Sequence, residues 1–284
     1  MDSIPPSSEP KDRPLSFAGA AVWTIAALFL DLFFIGATEA SREGAFFDLV
    51  SRTACEALAY SVVFFGILRL HEPNTSIRHV LALRAPSIVA LLLALAVGAA
   101  LSLPSEWLDQ ALDARFPRPP EEKETLDRLL SVATLGKRIT LVATLVFLQP
   151  ALDELFFRGA LFTPLRRAHR AETVVFATAA FETLGSLSPR AMISLLVASL
   201  VFSWMRGVTG SIFPSMLARM AYYGVAVVPM ALGREAPKPT RTLLLASSAV
   251  AVVGLLGLAM LGRRSARLAD ARLEDGADGR DRSL

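Results

Sequence analysis

The chain has 284 residues, 53% of them hydrophobic, and a mean hydropathy of +0.48. Soluble domains of this length carry more charge and shorter apolar runs, so the composition excludes an ordinary soluble enzyme and predicts an all-α, polytopic transmembrane helical bundle. The net charge is only +3, and the basic residues are spread over loops and tail rather than gathered with aromatics, which leaves no basis for nucleic-acid binding.

Residues 1–15 open with MDSIPPSSEPKDRP. This stretch is too polar and proline-rich to bury apolar surface and predicts a disordered N-terminal segment. The apolar run that follows starts too late for a secretory signal and reads as an uncleaved signal-anchor. Crossing the hydrocarbon core takes ~20 mainly apolar residues in a helix, and eight stretches come close: 16–36, 53–70, 87–103, 138–157, 172–187, 191–206, 212–232 and 242–261. The first carries a lone acid, Asp31. The second holds the single cysteine, Cys55, which reads as a small buried thiol. Between the third and fourth, SEWLDQALDARF and EEKETLDRLL read as two short surface helices separated by FPRPP. The transmembrane domain is thus 16–262, and the charged tail, 263–284, is expected to be disordered.

Topology follows from the basic residues of the short loops. Arg69, Arg78, Arg84, Arg166, Arg167, Arg170 and Arg206 fall on one side together with the tail. Arg42, Arg52, Arg190, Arg234, Lys238 and Arg241 fall on the other. The bias predicts both termini in the cytoplasm, and the composition suits a bacterial cytoplasmic membrane.

Within the fourth span, LQPALDELFFRGALFTPLRR places Asp153, Glu154 and Arg158 inside an apolar helix. Each such charge costs roughly 2.5–3.5 kcal/mol at a helix centre unless it is paired or faces water. Glu154 and Arg158 are four apart and share a helix face. Asp153 lies about 100° away and needs water or a partner from another helix. Two readings stand side by side: a salt bridge that helps assemble the bundle, or a polar cavity where carboxylates activate water or bind a cation.

DELFFRG resembles the EExxxR motif of the CPBP family of intramembrane proteases, which includes the type II CAAX prenyl endopeptidases and the bacteriocin-processing and self-immunity proteins called Abi. The resemblance covers about 139–228. It includes the arginine-rich turn after the motif and RGVTGSIFPSMLARMAYYG, which is similar to the family's proline-containing segment ending LAHxxxN. VLALRAPS is similar to a short upstream element. The resemblance implies cleavage of a peptide bond near the membrane surface. It also implies a glutamate that activates water, and histidines and an asparagine from later helices that hold zinc or another divalent metal.

The chain departs from that pattern. The first glutamate corresponds to Asp153, while Glu154 and Arg158 match. In FETLG, Phe181 matches FxxxH but the histidine has become Gly185. In RMAYY, the histidine of HxxxN is Arg219 and the asparagine is Tyr223. Glycine supplies no ligand, and a guanidinium stays protonated and cannot bind zinc. His71, His79 and His169 lie in polar connectors and read as solvated. No metal or other cofactor is therefore expected. Arg219 is expected to pair with Asp153 or Glu154 in place of the lost centre, or else to snorkel to the interface. Glu182 is a candidate third carboxylate. The implied function is that of a pseudoprotease embedded in the lipid bilayer, binding a membrane protein or hydrophobic peptide. The alternatives are a divergent endopeptidase working with carboxylates alone, or a transporter subunit.

Overall fold

The computed structural model describes residues 14–130, 132–185 and 189–281, and among these all regular structure is helical. Helix α1 (Phe17–Ser41) is capped by Ser16, whose hydroxyl accepts from the Gly19 N–H, satisfying one of the free donors of the first turn. A 3₁₀ turn at Ala45–Phe47 reverses the chain into α2 (Leu49–His71). The two helices run antiparallel and close, with the Trp23 ring laid over Gly66, where a Cβ would meet it at 2.9 Å. A single turn, α3 (Ile77–Val80), sits in the basic connector. The remaining helices are α4 (Ile88–Arg115), α5 (Pro120–Leu129), α6 (Leu135–Ala168), α7 (Ala171–Leu184), α8 (Pro189–Thr209), α9 (Ile212–Ala231) and α10 (Arg241–Asp281).

In a bilayer, helices associate through close packing rather than by escaping water, and small residues permit that approach. Here α4 lies between α9 and α10. Gly98 sits directly against the Ala218 backbone of α9, while Gly254 and Gly257 of α10 receive Val97 and Leu93 of α4. Ala94, Val97, Phe202, Met205, Ala218 and Leu258 form the core of this half. The other half joins α1, α2 and α6 through Ala20, Ala27, Val63, Ile67, Phe156, Phe157 and Leu161. Phe29, Phe33, Ile88, Leu92, Val253 and Met260 are exposed on the outer faces, as suits side chains that meet lipid tails.

Among the described residues, six helices are long and apolar enough to cross a membrane: α1, α2, α4, α6, α8 and the first part of α10. The molecule is thus a helical membrane bundle, with fewer such helices than the eight expected. The expected span 172–187 is the 14-residue α7, ~21 Å long and too short for a ~30 Å hydrocarbon layer. The span 212–232 is α9, whose polar residues, Arg219 among them, lower its hydropathy. Residues 186–188 and 1–13 lie outside the described residues. Leu15, assigned to the disordered segment, is fully buried against the α1, α2 and α6 core.

Two further elements differ from expectation. The first surface helix is no separate element. It continues α4 through Pro104 to Arg115, because neighbouring helices in a bundle hold a proline-containing helix that would break in isolation. Only α5 is a separate short helix on this connection, and it buries no residue. The second difference is the tail, whose backbone is helical as far as Asp281. Its alanines, arginines, leucines and glutamate are good helix formers, even though the stretch is too polar to form a core. Nor are two of the three histidines merely solvated. His71 accepts from Trp23 Nε1 at 3.2 Å, and His169 stacks on Phe17 with ring centroids 3.9 Å apart. Cys55 is free and buried, as expected.

Candidate functional site

The centre of the bundle is set by α6, which is not a uniform α-helix. Two stretches, Ala143–Leu148 and Glu154–Leu161, are π-helical. Such widened turns accommodate an extra residue and recur at functional positions. The second begins at Glu154 and contains Arg158, so the two side chains do not meet as an ideal α-helical i, i+4 pair: their closest N–O approach is 3.6 Å. Arg158 turns instead toward α7 and α8. One terminal nitrogen binds Glu182 Oε2, and the other donates to the Ser199 carbonyl at 2.8 Å and the Ser199 hydroxyl at 2.7 Å. The Ser199 hydroxyl donates in turn to Glu182.

Arg219 enters from α9 and is fully buried. Its three nitrogens serve three carboxylates: Nε donates to Glu154 Oε1 at 2.8 Å, one terminal nitrogen donates to Asp153 Oδ2 at 2.9 Å, and the other reaches Glu182 Oε1 at 2.5 Å. Its planar face lies over the Phe202 ring, 4.9 Å from the centroid, an arrangement a guanidinium favours. The expected pairing with Asp153 or Glu154 is therefore present with both, and the guanidinium does not snorkel. Glu182 is the third carboxylate and the hinge of the cluster, touching both arginines and Ser199.

Beside the cluster lies a cavity of about 390 Å³, lined among others by Asp31, Arg52, Glu56, Tyr60, Gln149, Asp153, Glu182, Gly185 and Tyr223. Asp153 is the cluster acid most open to it, at 13% side-chain exposure, against none for Glu154. Gly185 and Tyr223 both line its wall, whereas Phe181 packs against the α1, α2 and α6 core. Gln149 donates to Glu56 across the cavity. Asp31, a lone acid in the sequence, thus faces the same space as Asp153.

The residues present do not fit a metal ion. At the position of one implied histidine there is no side chain, and at the other a guanidinium already fills the space between the carboxylates. Among the described residues no group of three or more His, Cys, Asp or Glu is arranged to hold a metal, and no histidine lines the cavity.

Ser199, Glu56, Gln149 and Arg206 were not singled out from the sequence as members of a site. Ser199 and Ser203, four residues apart, are both buried in α8, and small hydroxyl residues sharing one face of an apolar helix were the available signal. Arg206, read as a loop residue, is buried within α8 and donates to the Arg158 carbonyl.

These features define a helical membrane protein built around a buried ionic centre. Residues 135–225, about a third of the chain, match the family model described as "Type II CAAX prenyl endopeptidase Rce1-like", and that match supports membership of the CPBP/CAAX protease family. No curated protein matches the chain, and no solved structure does.

Proposed function

We propose that this CAAX-protease-like membrane protein has lost peptidase activity and acts by binding a membrane protein or hydrophobic peptide at its polar cavity. The observation that carries this reading is the Arg219 guanidinium, which lies within hydrogen-bond distance of Asp153 and Glu154. Water activation needs a carboxylate free to take a proton and a group that stabilises the developing oxyanion. Here the two motif acids are engaged by a fixed cation. The basic residues of the short loops support a cytoplasmic position for both termini.

The cavity also supports a second reading. Asp153 borders a space large enough for a peptide segment and its water, so a divergent endopeptidase working through that carboxylate is the competitor. Both are tested on full-length protein purified in detergent without a metal-binding tag. We expect no stoichiometric zinc and no cleavage of a prenylated CAAX peptide. Cleavage that disappears in Asp153→Asn would establish the competitor. Chelator-sensitive zinc at one ion per chain would overturn the comparison of Gly185 and Arg219 with the family's histidines.

A further inference from the structure

A second concentration of arginine lies at the end of the bundle where the α2–α4 connector crosses α6, α8 and α9. Contacts that tie the connector down include three near Arg84: Thr163 of α6 donates to the Val80 carbonyl at 2.6 Å, Ser211 donates to the Arg84 carbonyl at 2.7 Å, and the Ile212 N–H donates to the Ala82 carbonyl at 3.3 Å. Ala82 adopts φ 50° here, a conformation that is costly for a residue with a Cβ and persists only where surrounding contacts enforce it. These ties bring the Arg84 backbone to the turn that follows Arg206.

Arg206 is 7% exposed. Its hydrogen bonds are all to neutral groups: Nε donates to the Arg158 carbonyl at 3.1 Å and one terminal nitrogen to Thr163 Oγ1 at 3.3 Å, while its face covers Phe162 at 5.0 Å. Among the described residues no carboxylate forms an ion pair with it. Two of the charges that act on it, Arg84 and Arg166, are of its own sign, against one acid, Glu154, whose Oε1 already serves Arg219. Buried charges are ordinarily paired. Arg84 is exposed and Arg166, also exposed, spends one nitrogen on the His169 carbonyl. Three arginines thus belong to elements joined by the Thr163 and Ser211 ties, and among the described residues no carboxylate forms an ion pair with any of them.

We propose that Arg206, Arg84 and Arg166 form a binding site for a phosphate group, with Arg206 as its buried floor and the other two as arms. A phosphate offers the oxygens and charge that guanidinium forks match. It comes either from an anionic lipid headgroup or from free phosphate. The site is remote in role from the Arg219 centre: Arg206 reaches the Arg158 carbonyl and touches none of the three acids of that cluster, so the inference stands whether or not the cavity cleaves peptides.

The test follows the melting temperature of the full-length protein in detergent during titration with phosphatidylglycerol, phosphatidylcholine or inorganic phosphate. Phosphatidylglycerol should raise the melting temperature saturably, and phosphatidylcholine should not. In R84Q/R166Q the apparent affinity should fall roughly 30-fold, from about a factor of five for each arginine near an anionic surface. The control R234Q/R241Q removes the same net charge from exposed arginines of another connector and should weaken binding by less than about fivefold. A response to phosphatidylglycerol alone identifies the lipid headgroup as the source, and an equal shift with inorganic phosphate identifies the free ion. The proposal is overturned if R84Q/R166Q responds like the wild type, if both double variants weaken binding equally, or if neither ligand raises the melting temperature.

Discussion

Replacing Arg219 with alanine is expected to cost about 3–5 kcal/mol, the usual penalty for removing one partner from a buried ionic group. The variant leaves Asp153, Glu154 and Glu182 sharing Arg158, whose own bonds run to Glu182 and Ser199. Asp153 would lose its ion pair at 2.9 Å and Glu154 the shorter of its two among the described residues. Arg219→Lys keeps the charge but offers one nitrogen where the arginine uses three, so it should recover only part of the loss. A triple variant, R219M with D153N and E154Q, removes the excess of acid together with the cation and should be more stable than R219A. Thermal unfolding in detergent ranks the series. If R219A melted with the wild type, the guanidinium would not be what holds the centre, and the account of Arg219 as a replacement for lost ligands would fall.

The second large effect comes from a residue with no charge. A Cβ at Gly98 would lie 1.9 Å from the Ala218 carbonyl oxygen and 2.5–2.6 Å from two further backbone atoms. Real Cβ contacts stay beyond 3.0 Å, so α4 and α9 must separate by about 1 Å (3.0 minus 1.9) to admit even alanine. Overpacking of this kind costs about 1–3 kcal/mol. Here there is an added term, because Ala218 adjoins Arg219 and the shift draws the guanidinium away from hydrogen bonds of 2.8 and 2.9 Å. G98A should therefore be destabilised, and G98V more so. Gly36→Ala is the control: nothing lies within 4 Å of its added Cβ, and alanine in a helix should be neutral or stabilising by up to about 1 kcal/mol. Equal melting temperatures for G98A and G36A would show that the α4–α9 crossing relaxes freely.

The contrast between these positions shows what the sequence can carry. Asp153, Glu154 and Arg158 were legible because charge inside an apolar run is costly and demands a partner. Arg219 was legible through its place in RMAYY, and a three-nitrogen fork suits an excess of acid. Gly98 was not, since a glycine in an apolar helix does not say which neighbour approaches it. Glu182 could only be held open: its two arginines lie 24 and 37 residues away in the chain (182 minus 158, 219 minus 182), and nothing local specifies which way α7 turns. Helix ends failed for a related reason. Pro104 ends a helix by the rules of an isolated chain, but α9 and α10 hold α4 straight past it. The short α7 was read as a span because apolar runs were counted without the packing that lets a helix remain inside a bundle at less than full length.

The separation of the ionic partners along the chain also has a consequence for how the protein is made. A chain enters the membrane in order of synthesis, N-terminal elements first. Asp153, Glu154 and Glu182 therefore enter the membrane before Arg219, which is 65 residues beyond Glu154. During that interval α6 and α7 hold three acids and one guanidinium, and α9 must then arrive with a lone arginine at its middle. Neither half is suited to lipid by itself. Arg219 thus makes the docking of α9 the event that completes insertion, and a ribosome-bound chain ending before it should be the species that membrane quality control detects.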